Sequence, residues 1–137
     1  MPAHWILKTE PSAYAFADLQ RAGTARWDGI TNAQALIHLR AMAQGDRVLV
    51  YHTGAEKALV GRATIARAAY PDPAAADPKR VAVDVRAGDL LPQRVNLAAI
   101  RADPAFRDLG LIRNTRLSVI PVPPPLFARL LAMAGVR

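Results

Sequence analysis

The sequence of 137 residues contains no cysteine, so disulfide bonds, thiolate metal sites and cysteine nucleophiles are excluded. No apolar run is as long as a membrane span, and the first residues lack the basic stretch and apolar core of a signal peptide. Walker loops, GxGxxG turns, nucleophile elbows and HExxH helices are also absent, and the histidines lack metal-ligand spacing. These absences predict a cytoplasmic protein that binds no metal, no cofactor and no membrane.

The composition indicates one ordinary globular domain. Hydrophobic residues make up 52% of the chain, which suffices for a core at this length and is too high for a disordered protein. We therefore expect a single domain over residues 1–137, and a monomer. A net charge of +7 favours a polyanionic partner such as nucleic acid. This signal is weak, because the charges are scattered and an Ala-, Arg- and Pro-rich composition is also typical of GC-rich genomes.

Apolar patterning predicts strands and helices in an irregular order. Strands are predicted over residues 5–8, 47–52, 58–68, 81–86 and 116–122. Helices are predicted over about residues 14–22, 32–43, 97–101 and 126–134, with Ser12, Thr31 or Asn32, and Asn96 as caps; residues 26–29 are predicted to form a loop. Because the regular βαβ alternation of a doubly wound sheet is missing, we predict an α+β fold with a small, curved or barrel-like sheet and helices at its margin.

Polar and aromatic residues stand at the ends of these elements, where binding sites usually lie. They are Lys8, Thr9 and Glu10 after the first strand, Trp27, Asp28, Gly29 and Asn32 between the first two helices, Tyr51 and His52 at a strand end, and Arg116, Leu117 and Ser118 at the start of the last strand. Each has a plain structural explanation when taken alone. Their co-occurrence at element ends favours a site.

The same residues resemble the motifs of the EVE domain family. Residues 5–11 (WILKTEP) are similar to its opening W-L-x-K-[ST]-E-P, and residues 27–35 (WDGITNAQA) are similar to W-D-G-V-R-N-x-Q-A. Shorter blocks follow in family order: Gly45-Asp46, Tyr51-His52, Gly61, residues 70–73 (YPDP) and residues 116–119 (RLSV). Seven blocks in order across nearly the whole chain make the resemblance specific.

The resemblance implies a PUA-like fold, a strongly bent, barrel-like sheet surrounded by helices, related to YTH and ASCH domains. YTH domains hold a methylated adenine in an aromatic cage, and EVE domains are described as readers of modified cytosine or other altered bases. The implied partner is a modified base in DNA or RNA, or a free modified nucleoside. Two family arginines are replaced, by Thr31 and Leu36, and the loop after Pro73 is shorter than usual.

A pocket that reads one base needs a stacking surface and polar groups for the base edge. We predict that Trp27 is the stacking surface and Tyr51 a second wall, because stacking contributes about 1–3 kcal/mol per base. Thr9 and Asn32 are predicted to pair with the base edge. Phosphates, which position a nucleic acid without specifying its sequence, are assigned to Lys8, Arg116 and His52.

Two alternatives belong to other classes. A small ASCH-like amidohydrolase could use Lys8, Thr9 and Glu10. However, strand alternation points Thr9 away from its two neighbours, a threonine nucleophile needs an adjacent base, and Lys8 with Glu10 suggests an ion pair instead. An adaptor that acts through protein contacts is the third possibility. We favour the non-catalytic binding module.

Overall fold

The computed structural model describes residues 2–136, and this range contains six strands, five α-helices and one 3-10 helix. The strands are β1 (His4–Thr9), β2 (Thr24–Trp27), β3 (Arg47–His52), β4 (Ala58–Pro71), β5 (Val81–Asn96) and β6 (Val119–Pro121). The helices are α1 (Phe16–Ala22), α2 (Ala33–Ala41), α3 (Leu97–Ala102), α4 (Gly110–Arg113) and α5 (Pro124–Met133), and the 3-10 helix covers Pro104–Phe106.

All six strands form one sheet in the order β2-β5-β4-β3-β1-β6. β1 and β3 pair in parallel, and the other neighbouring strands of the described chain are antiparallel. The long hairpin of β4 and β5 contains several register shifts, which bend the sheet strongly. β2 and β6 remain as edges, so the sheet does not close within residues 2–136. The predicted α+β fold with a bent, barrel-like sheet and surrounding helices is confirmed.

Helices pack on both faces of the sheet. The Phe16 ring of α1 lies directly over Gly61 of β4, while the Phe127 ring of α5 lies 4.4 Å from the His4 ring of β1. Gly61 and His4 pair with Val50 and Arg47 of β3, three residues apart, and therefore belong to opposite faces. The largest fully buried side chains are Phe16, Phe106, Ile6, Leu7, Leu19, Leu39, Leu49, Leu59, Ile65, Ile100, Leu111 and Ile120.

Gly61 permits the close packing of α1 on the sheet. A Cβ atom at Gly61 would lie 2.3 Å from the Phe16 ring, so we expect Gly61→Ala to lower the free energy of unfolding by about 1–3 kcal/mol. Chemical denaturation measures this loss. In a Phe16→Leu background the substitution should cost less, because the smaller side chain leaves room for the methyl group. Equal costs in both backgrounds would contradict the contact.

One buried carboxylate joins the start of β1 to the end of α2. The Asp46 side chain accepts hydrogen bonds from the Ala3 N–H (3.0 Å), the Trp5 indole N–H (2.9 Å) and the Ala43 N–H (2.9 Å). Burial alone would raise the pKa of Asp46, but the three donors hold that pKa below its ordinary value. The charged form of Asp46 is therefore part of the folded structure.

Helix starts were predicted in part. Asn32 caps α2 by accepting from the Ala35 N–H, and Asn96 caps α3 in the same way, as predicted. Ser12 does not cap α1, so that prediction is wrong. Its hydroxyl donates to the Glu10 carboxylate in a turn, and α1 begins only at Phe16.

The strand limits differ from the prediction where long-range pairing decides them. Residues 24–27 form β2 against β5, although residues 26–29 were predicted to be a loop. β5 continues ten residues past the predicted end at residue 86, because β4 supplies a partner. β6 covers only Val119–Pro121, since residues 116–118 lie in the turn before it. The short helix α4 was not predicted.

Candidate functional site

A cavity of about 450 Å³ opens between the end of β1, the turn that follows it, and β2. It is lined by Lys8, Thr9, Glu10, Tyr14, Ala25, Arg26, Trp27, Asp28 and Ile30. Five of these residues, Lys8, Thr9, Glu10, Trp27 and Asp28, were predicted from the sequence. We call this space the Trp27 cavity.

Two aromatic rings line the Trp27 cavity. Trp27 is 8% exposed, and the Tyr14 ring stands edge-on to it, with ring centroids 6.1 Å apart and planes at 82°. Burial raises the pKa of Tyr14, and the Asp18 carboxylate raises it further, so its hydroxyl stays protonated at neutral pH. Tyr14 was not predicted as a site residue, because the first helix was predicted to begin there, whereas α1 begins at Phe16.

The polar groups of the cavity are held by local hydrogen bonds. The Thr9 hydroxyl donates to the Tyr14 carbonyl at 2.6 Å, which leaves its oxygen lone pairs free to accept. The Asp28 carboxylate accepts from the Arg26 Nε–H at 3.1 Å, and both side chains are partly exposed. A ligand in the cavity would therefore meet a hydroxyl, a carboxylate and a guanidinium.

Asp72 positions the loop that carries Asp28. It is 4% exposed, and its carboxylate accepts from the Gly29 N–H (3.1 Å) and the Ala74 N–H (2.9 Å). The hydrogen bonds from Ala74 and Gly29 hold the pKa of Asp72 below its ordinary value. Asp72 was not among the predicted site residues. The YPDP motif that contains it is the signal that could have identified it.

Lys8 and Glu10 do not form the predicted ion pair. The Lys8 ammonium donates to the Thr115 carbonyl at 3.0 Å, and the Glu10 carboxylate accepts from Ser12 and Thr53. The backbone hydrogen bond from Ser12 is the main cause of a lowered Glu10 pKa, whereas burial lowers the pKa of Lys8. The ion-pair prediction is wrong because the Lys8 ammonium bonds the Thr115 carbonyl and the Glu10 carboxylate bonds Ser12 and Thr53 instead.

Seven of the predicted pocket residues do not line the Trp27 cavity, and Asn32, Tyr51 and Gly29 are three of them. Asn32 uses its side-chain oxygen to cap α2. Tyr51 is paired with Lys8 in the sheet and lines a different cavity. The prediction that Thr9, Asn32, Tyr51 and Trp27 share one cavity is therefore wrong for Asn32 and Tyr51. Gly29 stands at the edge of the site, where its N–H is bonded to Asp72.

His52 was predicted as a phosphate contact, but both its ring nitrogens bond protein groups. Nε2 accepts from the Phe16 N–H at 3.0 Å, and Nδ1 lies 2.8 Å from the Glu56 carboxylate. The side chain is buried. His52 thus fixes the start of α1 beside the Trp27 cavity instead of facing a ligand.

The sequence model of the EVE domain matches residues 3–133. The chain belongs to the EVE domain family. Thymocyte nuclear protein 1 of Gallus gallus is 31% identical over 129 residues, which are 84% of this chain and 53% of that protein. The chain thus spans about half the length, or less, of most of the curated relatives that it matches.

Several solved structures have the same fold as this chain. An NMR structure of a protein from Rhodopseudomonas palustris is 39% identical, with a TM-score of 0.92 over 97% of this chain and 93% of that one. The human THYN1 protein, crystallised with 5-methylcytosine-containing DNA, is 25% identical, with a TM-score of 0.89 over 98% of this chain and 99% of that one. An ASCH protein from Zymomonas mobilis, at 14% identity and a TM-score of 0.57, shares the fold alone. The predicted PUA-like fold is confirmed.

The RLSV block of this EVE domain lies beside β1, outside the Trp27 cavity. Arg116 is exposed in the turn before β6, Leu117 is buried, and the Ser118 carbonyl accepts from the Lys8 N–H at 2.9 Å. Of the phosphate contacts predicted from the sequence, Lys8 lines the Trp27 cavity, whereas Arg116 and His52 do not. Lys8 and Arg26 line the cavity, whereas Arg62 lines a separate one.

The described part of the EVE domain consists of residues 2–136. Within them, no three His, Asp or Glu side chains are grouped closely enough to hold a metal ion. No helix of this range is long and apolar enough to cross a membrane.

Proposed function

We propose that the protein is a non-catalytic module that binds one modified base in the Trp27 cavity. The observation that carries this proposal is the cavity itself, in which Trp27 and Tyr14 stand beside the hydroxyl of Thr9 and the carboxylate of Asp28. Trp27 stacks on the base, which contributes about 1–3 kcal/mol. The Asp28 carboxylate accepts a hydrogen bond from an exocyclic amino group, as cytosine and adenine offer.

The relative with bound DNA supports the choice of ligand. Human THYN1 was crystallised with 5-methylcytosine-containing DNA and shares the fold of this chain almost from end to end. We therefore propose DNA or RNA with a modified base as the partner, with 5-methylcytosine as the first candidate. A free modified nucleoside is the alternative ligand, and its binding would need no phosphate contact. No metal or cofactor has a part in it.

The geometry of the WILKTEP segment supports binding over amide hydrolysis. A threonine nucleophile needs a base that takes its proton. The Thr9 hydroxyl proton is instead directed at the Tyr14 carbonyl. In the described chain, the Lys8 ammonium bonds the Thr115 carbonyl, and the Glu10 carboxylate accepts from Ser12 and Thr53, so neither side chain is bonded to the Thr9 hydroxyl.

An oligonucleotide with one 5-methylcytosine is expected to bind about fourfold more tightly than its unmodified form, because a buried methyl group contributes about 0.8 kcal/mol. Fluorescence anisotropy with single- and double-stranded probes measures this ratio. Single strands should bind at least as tightly as duplexes, since extruding a base from a duplex costs a few kcal/mol.

Two outcomes would contradict the proposal. One is equal affinity for methylated and unmethylated probes across a panel that also contains other modified bases. The other is the release of product from acylated cytidines during incubation with the protein, which would favour an amidohydrolase. Failure to bind any nucleoside or oligonucleotide would favour the adaptor.

A further inference from the structure

A second cavity, of about 250 Å³, lies at the same end of the sheet as the Trp27 cavity. Its walls come from the ends of β1 and β3, the turn before β4 and the helix α3. The residues that matter are Lys8, Tyr51, Thr53, Lys57, Arg101 and Thr115. We call it the cationic cavity. Lys8 lines both cavities, so the two openings adjoin.

Three basic side chains line the cationic cavity, and no acidic residue does. Within residues 2–136, neither Lys8, Lys57 nor Arg101 takes part in an ion pair with a carboxylate. Two acids lie next to the lining residues: Glu56 is paired with Arg94, and the Glu10 carboxylate accepts from the Thr53 hydroxyl. Three basic side chains around one small opening, with no acidic residue in its lining, favour a compact anion.

A phenol and an ammonium group, those of Tyr51 and Lys8, line the cationic cavity together. Tyr51 is 4% exposed, and the Lys8 ammonium lies 5.7 Å from the centre of its ring. Burial raises the pKa of Tyr51, and the charge of Arg101, which lines the same cavity, acts against that rise. The phenol therefore stays protonated and can donate alongside the cations.

The backbone of Lys57 is unusual. Its φ of 44° lies in the left-handed region, where it is the one non-glycine residue of the described chain. Strained residues of this kind cluster at binding sites. The Lys57 carbonyl accepts from the Leu97 N–H at 2.7 Å, which ties the strained turn to the start of α3. This contact holds Lys57 on the same opening as Arg101.

We propose that the cationic cavity binds a phosphate group of the nucleic acid whose base enters the Trp27 cavity, with Lys57 and Arg101 as the main phosphate contacts. This inference rests on the proposed function for the identity of the partner. The phosphate has two possible sources, the backbone of a strand or the 5′-phosphate of a mononucleotide. Both sources present negatively charged phosphate oxygens, which can accept hydrogen bonds from Lys57, Arg101 and the Tyr51 hydroxyl.

The test compares a double variant, Lys57→Gln with Arg101→Gln, with the matched control Arg47→Gln with Arg86→Gln. Both variants lose two charges, and the control residues are exposed and line neither cavity. Affinity for methylated and unmethylated oligonucleotides is measured at several salt concentrations. Melting temperatures establish that both variants fold.

The cavity variant is expected to bind both oligonucleotides at least fivefold more weakly than the control, with the preference for the methylated base unchanged. The slope of log affinity against log salt should fall in magnitude by about 1, because a phosphate contact that releases counterions is lost. If the cavity variant also binds a mononucleotide more weakly than the control does, while its affinity for the corresponding nucleoside is unchanged, the 5′-phosphate is identified as a source.

The outcomes separate this inference from the proposed function. If the cavity variant and the control bind with the same affinity and the same salt slope, and both keep the preference for the methylated base, the phosphate site is overturned and base recognition is kept. A wild-type protein without base preference, whose cavity variant still loses affinity and salt dependence, keeps the phosphate site and overturns base recognition. A wild-type protein that binds no oligonucleotide and no mononucleotide, or that binds acidic peptides instead, overturns the phosphate site.

Discussion

Replacing Asp46 with alanine is expected to lower the free energy of unfolding by about 3 kcal/mol. The substitution removes the acceptor for three N–H groups, and an unsatisfied buried donor costs about 1–3 kcal/mol. The Trp5 indole is the most enclosed of the three, since Trp5 is 5% exposed. The donors of Ala3 and Ala43 lie on exposed residues and can turn to water, so the total stays below three full penalties.

Denaturant unfolding of Asp46→Ala measures this effect, and Asp89→Ala is the matched control. Asp89 carries the same charge, but its side chain is 88% exposed, so its removal should change stability by less than about 0.5 kcal/mol. A loss as small in Asp46→Ala as in Asp89→Ala would contradict the structural role of Asp46.

The Asp46→Asn variant separates charge from shape. The folded-state pKa of Asp46 is depressed, so its stabilising contribution is present above the unfolded pKa of about 3.9 and is lost as the pH falls through the folded value. The stability difference between wild type and Asp46→Asn should therefore be largest near neutral pH and shrink below about pH 4. A difference that stays constant with pH would show that the charge of Asp46 is not involved.

Local sequence signals predicted the elements that they control. The apolar runs that form β1 and β3 need no partner to be recognised, and the cap at Asn32 is a local hydrogen bond. The strand β2 has no such signal. Trp27 is in a strand because Val83 pairs with it, and the sequence separation between these residues hides that pairing.

The candidate site shows the same division. The motifs correctly predicted that Lys8, Thr9, Trp27 and Asp28 share one cavity. Each of these residues lies at or next to the end of β1 or β2. Tyr51 was misplaced because it lines the cationic cavity, which adjoins the Trp27 cavity at Lys8. Its pairing with Lys8, and not with Thr9, is fixed by the β1–β3 register, which the sequence does not reveal.

Replacing Trp27 with leucine is expected to weaken the binding of a modified oligonucleotide about 5- to 150-fold, because it removes the stacking interaction. Leucine is preferred to alanine as the probe. Trp27 is only 8% exposed, so it belongs to the core as well as to the cavity. Alanine at this position would cost about 3–5 kcal/mol of stability, a large part of what a small domain has.

The same substitution at the second tryptophan supplies the control. Trp5 is 5% exposed, contributes its indole N–H to Asp46 and does not line the Trp27 cavity. Trp5→Leu should therefore lose stability while keeping its affinity per folded molecule, whereas Trp27→Leu should lose affinity at a temperature where both variants are folded. Melting temperature and anisotropy titration on the two variants give the comparison. If both bind methylated and unmethylated probes as the wild type does, Trp27 packs the core and the base does not stack on it.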